Sequence, residues 1–473
     1  MVSLGIWRIA ALLGRGPSVA RRDDMARAVS RSDHARPPAM KPPCRLAAEP
    51  CGGWSRVPFS GAVFPVSSPS AGCLIVHVVV LNAGSSSLKF SVFPASADTP
   101  RATGLVDWAG SSGAATCRIS VAGRDHVETI QAADHRDATR ATLSGLTHLG
   151  ALDPDGGVVV GHRVVHGGAA LRDAMLVDAD VRRQIEALST VAPLHNPPSL
   201  RTIHAARELL GNAAHVAVFD TAFYRDLPRE RYVYATPYAW HERWGIRRYG
   251  FHGISHAYCA ARAAEMLGRP VEDVSLITCH LGAGSSATAT AGGVAVATSM
   301  GFTPMEGLMM GARSGTIDPG IMLHVQRERG VHAEALDQAL NRESGLLGVS
   351  GVSSDYRAVE AAAETGHERA RLALDMYAEG VRNAVGALAT ALDRVDALAF
   401  TAGIGENSAR LRETVCAGLR VLGVRIDSDL NASGRADCEI TGQDSASRVL
   451  VVRAREDLMI AREARRVVEE SRR

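Results

Sequence analysis

Lysine is nearly absent from this chain of 473 residues: of its 52 Lys and Arg side chains, only Lys41 and Lys89 are lysines. Such an arginine excess is typical of a GC-rich genome and by itself indicates no function. It nevertheless singles out Lys89, because a compact ammonium group and a guanidinium fork bind anions differently. An ammonium group retained beside a glycine turn suggests a chemical requirement.

A strong charge imbalance is also missing. The formal net charge is +2 and charged residues make up 22% of the chain, as in an ordinary globular protein. Nucleic acid and membrane surfaces are therefore not expected partners. The apolar stretch at residues 4–13 is interrupted by Arg8 and is too short to span a bilayer. At this length, two or more domains are expected.

Paired cysteine motifs are missing as well. The eight cysteines include no C-x-x-C spacing, which argues against a zinc site and a disulfide framework and fits a reducing cytoplasm. Residues 1–75 are rich in Arg, Pro, Ser and Gly and contain no clear signal peptide. We expect them to be a disordered tail or the product of a start codon assigned too early. Order should begin near Val76.

The stretch from Val78 to Phe90 predicts a strand, a Gly/Ser turn and a second strand. Small residues let backbone N–H groups approach an anion, and the serine hydroxyls and Lys89 add further donors. This pattern is typical of a phosphate site, although a plain hairpin with a solvated lysine would have the same sequence. The tetrapeptide Ala-Gly-Ser-Ser recurs at 283–286, again after an apolar strand at 276–281. The repeat suggests two related halves.

Several further segments predict elements that carry polar side chains. Arg163 follows a strand at 158–160, and Asp220 follows a strand at 216–219, where open α/β sheets place ligand residues. One helix is expected to start at Ser199 and another near residue 253. A strand at 397–400 leads into a glycine loop at 401–407, a reasonable nucleotide phosphate site. A long helix is predicted with one apolar face formed by Leu372, Met376, Val381, Val385, Leu388 and Leu392.

Together these strings resemble the acetate kinase (acetokinase) family of the acetate and sugar kinase/Hsp70/actin superfamily, from about Val76 to the C-terminus. The resemblance implies an α/β fold with two duplicated RNase H-like domains and a cleft between them. These would be residues 76–220, completed by about 458–473, and residues 221–457. It also implies a homodimer, and the transfer of the γ-phosphoryl group of ATP to acetate with Mg²⁺, or Mn²⁺ in its place.

The resemblance also assigns roles to individual positions. Those matching the family's catalytic residues are Asp220, His252 and Arg313, and those matching its metal-associated residues are Asn82 and Glu456. Arg163 matches the arginine that binds the acid, and the small acyl pocket falls on Val165, Leu194, His195, Phe251 and Pro304. The nucleotide contacts fall on Lys89, His280, Leu281, Gly282, Ala283, Gly284, Asp355, Tyr356, Arg357, Gly403, Ile404, Gly405, Glu406 and Asn407.

Simple chemistry limits one of these roles. Acetate is already ionised at neutral pH, so its oxygen needs no general base. Asp220, which the family match makes a proton donor or acceptor, is therefore expected to orient an arginine or metal-bound water. The two guanidiniums of Arg163 and Arg313 would offset the repulsion between two anions.

The chain departs from the family pattern at two places. Ala283 stands where the family usually has Asn, which removes an amide contact worth about 1 kcal/mol. Ala454 and Arg455 replace the usual Thr-Asn ahead of Glu456, so a cation lies beside a metal-associated carboxylate. That cation would weaken Mg²⁺ binding or contact phosphate, and the sequence does not decide between the two.

Two alternative functions stay open at this point. One is a kinase for propionate or another short acid, because one methylene changes binding by only about 1–3 kcal/mol. The other is an ATP-dependent binding switch of the actin or Hsp70 type. Arg163 and Arg313 argue against the switch, because it needs no carboxylate clamp.

Overall fold

The computed structural model describes residues 76–84, 86–108 and 113–473. The predicted tail at 1–75 and Ser85 of the first glycine turn lie outside these residues. The described chain contains two β-sheets, each covered by helices. No helix among the described residues is long and apolar enough to cross a membrane.

The first sheet contains the strands β1 (His77–Ala83), β2 (Ser87–Pro94), β3 (Ala102–Asp107), β4 (Ala114–Val121), β5 (Arg124–Gln131), β6 (Val158–Val164), β7 (Met175–Leu176) and β8 (Ala214–Phe219). Their order across the sheet is β5-β4-β3-β2-β1-β6-β8-β7. β1 pairs antiparallel with β2 and parallel with β6, which in turn pairs parallel with β8.

The second sheet contains β9 (Ser275–Leu281), β10 (Ser285–Ala291), β11 (Val294–Thr298), β12 (Ala397–Thr401), β13 (Cys438–Glu439) and β14 (Arg448–Val451), in the order β11-β10-β9-β12-β14-β13. β9 pairs antiparallel with β10 and parallel with β12, which pairs parallel with β14. In both sheets a central strand, β1 or β9, has antiparallel strands on one side, four in the first sheet and two in the second. On its other side lie two parallel strands and then a short antiparallel edge strand, β7 or β13. The predicted fold class, α/β with two related halves, is confirmed.

Fifteen α-helices surround the sheets in the part of the chain that the structure describes. They are α1 (His135–His148), α2 (Ala179–Ala187), α3 (Asn196–Leu209), α4 (Arg229–Tyr232), α5 (Tyr238–Trp244), α6 (Gly253–Met266), α7 (Pro319–Arg329), α8 (Ala333–Arg342), α9 (Gly345–Ser350), α10 (Tyr356–Glu364), α11 (Glu368–Ala389), α12 (Ala402–Asn407), α13 (Ala409–Gly418), α14 (Ser428–Ser433) and α15 (Glu456–Ser471).

A shared hydrophobic core joins the two sheets through α6 and α15. It includes Val78 and Val216 of the first sheet, Ile254 of α6, Leu276 of the second sheet and Ile460 of α15. α15 follows the second sheet in sequence but packs on β1, β6 and β8 of the first. This packing places the start of α15 beside the end of β1. The predicted domain boundaries themselves stay a prediction.

Two predicted helix features are wrong in detail. α3 begins at Asn196 rather than Ser199, because Pro197 and Pro198 occupy first-turn positions that need no backbone N–H donor. Residues 402–407, predicted as a loop, form the short helix α12. Glycine content suggested a loop there, but Gly403 and Gly405 adopt helical geometry at the end of a buried strand.

The predicted apolar face of α11 mixes two sides of the helix. Leu372 and Met376 are 52% and 44% exposed, whereas Leu374, Tyr377 and Val381 are buried. Residues nine positions apart lie on opposite sides of an α-helix at 3.6 residues per turn, so Leu372 faces away from Val381. The buried face therefore follows Leu374 and Tyr377, and Leu372 and Met376 are on the solvent side.

Candidate active site

Three predicted site residues lie at the carboxyl end of the first sheet. Asn82 is near the end of β1, Arg163 near the end of β6, and Asp220 directly after β8. Because these strands are parallel neighbours, their ends meet at the same edge. The edge therefore brings an amide, a guanidinium and a carboxylate together.

Arg163 links the other two side chains. Its Nε and Nη2 donate to Asp220 Oδ1 and Oδ2 at 3.2 and 2.7 Å, and its Nη1 donates to Asn82 Oδ1 at 3.2 Å. Burial raises the pKa of the fully buried Asp220 carboxyl, and Arg163 counteracts this rise. A guanidinium has five N–H donors, so two remain, one on each terminal nitrogen. They can donate hydrogen bonds to an incoming carboxylate.

Glu456 joins this cluster from the first residue of α15. Its Oε2 accepts a hydrogen bond of 3.3 Å from Asn82 Nδ2. Burial acts to raise its pKa, but Arg163 and His280 together hold the pKa below its ordinary value. Glu456 is therefore a carboxylate at neutral pH.

Lys89 lies on the sheet face that carries Asn82. Asn82 and Lys89 are paired residues of β1 and β2. Both line a cavity of about 430 Å³ together with Arg118, Asp457 and Glu456. Lys89 forms no ion pair within the described residues. The ammonium group singled out by the sequence is thus exposed and available beside Glu456.

Asn82 and Glu456 supply only part of the ligand set that Mg²⁺ needs. Mg²⁺ prefers oxygen ligands and usually binds one or two carboxylates, water and substrate phosphates. Glu456 supplies an ionised carboxylate, whereas the Asn82 oxygen is already bonded to Arg163. The described residues contain no group of three or more His, Cys, Asp or Glu that could hold a metal. The ion would therefore arrive with the nucleotide.

His252 enters the site from the start of α6. Its backbone is left-handed, with φ of 54°, and it precedes Gly253. A Cβ on Gly253 would lie 2.0 Å from the Asp220 carbonyl oxygen, so only glycine permits this approach. The His252 ring stacks on His280 of β9, with centroids 4.3 Å apart. Residues of both sheets thus meet at His252.

Arg313 and the second glycine turn complete this meeting point. A Cβ on Gly284 would lie 3.2 Å from His252 Nε2 and 3.8 Å from Arg313 Nη1. Arg313 Nη1 donates to the Pro304 carbonyl at 3.2 Å. Burial and the nearby Arg163 lower the Arg313 pKa. Arg313 has no carboxylate partner among the described residues, so its charge is available to an anion.

The predicted acyl pocket is partly assembled beside these groups. Val165 and Phe251 belong to one small apolar cluster, which also contains Met310. Burial, Arg313 and Arg163 lower the pKa of His195 to about 3, so its ring is neutral. Leu194 precedes it and is half-buried. Pro304 contributes its carbonyl oxygen to Arg313, and no described contact places its ring in the cluster.

The predicted nucleotide segments converge on the turn at 282–284. A Cβ on Gly282 would lie 3.8 Å from the Ala402 Cβ, which places the start of α12 beside the turn. Gly311 N–H donates to the Ala283 carbonyl at 3.1 Å, and a Cβ on Gly311 would lie 2.7 Å from the Ser354 carbonyl oxygen. The segment before α10 thus borders the same turn.

Individual residues of these segments differ in exposure. Asp355 caps α10 and pairs with Arg357 at 2.7 Å, and the Arg357 side chain is 88% exposed. Tyr356 is buried, as are His280 and Leu281 at the end of β9. Asp355 and Arg357 are therefore the accessible members of their segment.

Within α12 the polar groups mostly serve the helix itself. Asn407 Nδ2 donates to the Gly403 carbonyl at 2.8 Å, and Glu406 Oε1 accepts from the Ala454 backbone N–H at 2.8 Å. Ile404 packs against the core under the second sheet, and Gly405 is buried. Contacts to a ligand from α12 would thus come from its backbone.

Arg412 was missed by sequence reasoning. This buried arginine donates to the carbonyls of Gly405 and Glu406 at 2.9 and 2.8 Å and to Asn431 Oδ1 at 2.8 Å. It therefore fixes the end of α12. An arginine in a run of polar residues carries no sequence signal that distinguishes it from a surface cation.

The Arg455 side chain has two partners within the described protein. Its guanidinium donates to Asp457 Oδ1 at 3.1 Å and to the Asp98 carbonyl at 3.2 Å. Glu456 is not among its partners. The departure from the family pattern therefore adds a structural ion pair rather than neutralising the Glu456 carboxylate.

A group of buried histidines has lowered pKa values. Burial is the main cause, and the members are His77, His135, His162, His166, His195, His215, His252, His256 and His280. His215, for example, has its pKa lowered from 6.5 to about 4. Its Nδ1 lies within hydrogen-bond distance of His162 Nε2, at 3.0 Å, in the core of the first sheet. These rings are neutral in the folded protein.

We therefore expect the protein to lose stability as the pH falls. Below pH 6.5 the unfolded chain binds protons at histidines whose folded pKa is lower, and the folded rings of His166, His215 and His280 do not bind them until about pH 4. The free energy of unfolding is therefore highest above the pKa of the unfolded histidines. Below that pKa it falls by about 1.4 kcal/mol per pH unit for each such histidine. Urea unfolding between pH 7 and 4.5 measures the slope.

His215→Gln should make that slope shallower, because glutamine can still bond Leu210 and His162 but does not titrate. The matched control is His324→Gln, which changes an exposed histidine. It should leave the slope unchanged. Identical slopes for His215→Gln and the unaltered protein would contradict the assignment.

Comparisons with known proteins match the part of the chain that contains these site residues. A family model described as the acetokinase family matches residues 77–462. A protein from Cyanothece sp. named acetate kinase is 46% identical over 404 residues, covering 83% of this chain and 99% of its own. One from Methanosarcina barkeri, also named acetate kinase, is 43% identical over 402 residues, covering 83% and 97%.

Two solved structures are similar over the same region. A propionate kinase from Francisella tularensis superposes with a TM-score of 0.77 at 34% identity, covering 82% of this chain and 98% of its own. An acetate kinase from Porphyromonas gingivalis has a TM-score of 0.76 at 39% identity, covering 83% and 99%. Fold and sequence similarity therefore extend over nearly all of the described residues.

Proposed function

The chain belongs to the acetokinase family, and from that premise we propose that it is an acetate kinase. It transfers the γ-phosphoryl group of ATP reversibly to acetate, giving acetyl phosphate and ADP. The observation that carries the proposal is the convergence of Arg163, His252 and Arg313 on one point between the two sheets. Cytoplasmic location and a homodimer are part of the proposal and rest on the family alone.

Charge is the main obstacle to this reaction. The acid and the nucleotide are both anions, and the transition state spreads charge over three equatorial phosphoryl oxygens. Burial and the nearby Arg163 lower the Arg313 pKa, whereas, against the effect of burial, Asp220 and Glu456 raise the pKa of Arg163. The Arg313 guanidinium, which has no carboxylate partner among the described residues, is therefore stabilised when an anion binds beside it. The site is therefore preorganised for two anions.

Arg163 is the group that binds the acid. Three of its N–H donors are taken by Asp220 and Asn82, and the remaining two suit a carboxylate. Asp220 holds the guanidinium in a fixed orientation. The apolar cluster with Val165 and Phe251 receives the methyl group.

The nucleotide lies along the turn at 282–284, the segment 355–357 and α12. Its phosphates reach Lys89 and Arg313, and Glu456 with Asn82 would hold Mg²⁺. The ion would supply positive charge that offsets the charge of the phosphate groups. We expect direct in-line transfer, with the acid bound by Arg163 and the transferred phosphoryl group by Arg313.

Propionate is the second candidate substrate. A structure named propionate kinase superposes on this chain as well as one named acetate kinase does. Selectivity depends on one methylene group in an apolar pocket, worth about 1–3 kcal/mol.

A coupled assay of ADP release tests the proposal. ATP and Mg²⁺ are supplied with acetate, with propionate or with no acid, and ³¹P NMR identifies the acyl phosphate. We expect release that depends on acid and has a higher kcat/KM for acetate. A higher kcat/KM for propionate would identify propionate as the preferred substrate. ADP release independent of acid would favour an actin-like switch.

Ala283→Asn is expected to restore a nucleotide contact. Ala283 is exposed in the turn at 282–284, so a larger side chain has room there. One added hydrogen bond of about 1 kcal/mol corresponds to a KM for ATP lowered about fivefold. Steady-state kinetics measure it, with Ala335→Asn on α8 as the exposed-alanine control. Lower activity in Ala283→Asn would contradict the view that the turn is weakened here.

A further inference from the structure

A chain of hydrogen bonds runs from His252 into the protein core. His252 Nδ1 lies 2.9 Å from Ser286 Oγ, and Ser286 Oγ lies 2.8 Å from His256 Nε2. His256 Nδ1 bonds the hydroxyl of Thr278. Ser286, His256 and Thr278 are fully buried. These three residues are called the relay.

The relay admits only two arrangements of its protons. The Ser286 hydroxyl has one proton and lies between two ring nitrogens, so it donates to one and accepts from the other. His256 is neutral and likewise donates through one nitrogen and accepts through the other. The direction at Thr278 therefore fixes the direction at every bond up to His252.

In the first arrangement Thr278 donates to His256 Nδ1, His256 Nε2–H donates to Ser286, and Ser286 donates to His252 Nδ1. His252 then carries its proton on Nε2. In the second arrangement every bond is reversed, and His252 Nε2 has a lone pair instead. Thr278 could then donate only to the Thr288 carbonyl, at 3.4 Å, which is long for a hydroxyl donor.

The surroundings of Nε2 favour the first arrangement once an anion is bound. Nε2 lies beside Gly284 and Arg313, on the side of the ring away from Ser286. A lone pair there would repel a phosphoryl oxygen, whereas an N–H would donate to it. The charged groups facing the ring are cationic, Arg163 and Arg313, and they disfavour an imidazolium.

We propose that the relay fixes His252 as a neutral imidazole with its proton on Nε2, so that it donates to the transferred phosphoryl group without becoming charged. Ser286, His256 and Thr278 are positioning residues in this scheme, because none of them touches substrate. The inference rests on the proposed phosphotransferase function and adds the means by which His252 is made a donor.

Removal of one relay hydroxyl provides the kinetic test. Ser286→Ala should lower kcat about 10- to 100-fold with KM for ATP changed less than twofold, and Ser286→Thr should retain most of the rate. Thr278→Val should lower kcat about 3- to 10-fold. Thr290→Val is the matched control, because Thr290 is a buried threonine of β10 whose hydroxyl donates to the Leu276 carbonyl and forms no hydrogen bond with the relay among the described residues. It should not change kcat.

The pH profile separates positioning from a general loss of structure. Wild-type kcat should be flat from pH 6 to 8, since the donor is neutral throughout. His280, His256, Arg163 and Arg313 face the ring, and none supplies a titrating acid in that range. In Ser286→Ala, kcat should stay low from pH 6 to 8 and rise only below pH 6, because only the imidazolium then has a guaranteed proton on Nε2, and burial and the neighbouring cations keep it from forming at higher pH.

¹⁵N NMR of histidine-labelled protein with MgATP and no acid reads the tautomer directly, with His252→Gln used to assign the signal. The inference predicts a protonated Nε2 and an unprotonated Nδ1. A proton on Nδ1, or wild-type kcat in Ser286→Ala, would overturn it. Absence of acid-dependent turnover in the wild type would overturn the proposed function instead, and the NMR result would still decide the tautomer.

Discussion

Arg313→Ala is expected to lower kcat by about 10³-fold or more, as the loss of an arginine finger does. Arg313 has no carboxylate partner among the described residues, so its charge is not offset until a phosphoryl group arrives. Charge develops on that group in the transition state, and the interaction therefore lowers the barrier more than it strengthens ground-state binding. The KM for ATP should change much less than kcat.

Two further variants test whether the effect is specific to the Arg313 guanidinium: Arg313→Lys and the control Arg327→Ala. Lysine keeps the charge but loses the planar fork, so Arg313→Lys should recover only part of the rate. Arg327 is an exposed arginine of α7, and its removal should leave kcat unchanged. Near-wild-type turnover in Arg313→Ala would remove Arg313 from the mechanism and leave Arg163 as the only guanidinium in the reaction.

The sequence predicted those parts of the fold that depend on local pattern. Short apolar runs and glycine turns located β1, β2, β9 and β10, and the repeated tetrapeptide suggested two related halves. Asp220 was located because a polar residue after a buried strand lies at the ligand edge of an α/β sheet. These signals are local, so a single sequence contains them.

Features that depend on tertiary contacts were not predictable in the same way. Leu372 and Leu374 have the same hydropathy, and only the packing of α11 buries one and exposes the other. Arg412 is stabilised by carbonyl groups of a helix end that the sequence did not show to be helical.

The relay left one sequence signal that was not used. His252 and His256 are four residues apart at the start of a helix, which places both rings on one face. Ser286 lies in the second copy of the repeated tetrapeptide, whose first copy was interpreted as a phosphate site. Its actual partners are two histidines. Tetrapeptide similarity identified the turn correctly but not the direction of that side chain.

The second large effect is expected for Asp220→Asn, which should lower kcat/KM for acetate by about 10²- to 10³-fold. Asp220 accepts two hydrogen bonds from Arg163 in a buried pair, and breaking such a pair typically costs about 3–5 kcal/mol. An Asn amide would turn N–H groups towards the guanidinium, and Arg163 would lose its orientation. The KM for acetate should rise, as in Arg163→Ala.

A double-mutant cycle distinguishes this orienting role from general base catalysis. If Asp220 acts through Arg163, the variant carrying both Asp220→Asn and Arg163→Ala should be about as active as Arg163→Ala alone, so the two losses would not add. The loss in Asp220→Asn should also be the same from pH 6 to 8, because acetate is ionised throughout and needs no base. Additive losses, or a loss that shrinks as the pH rises, would instead assign proton transfer to Asp220.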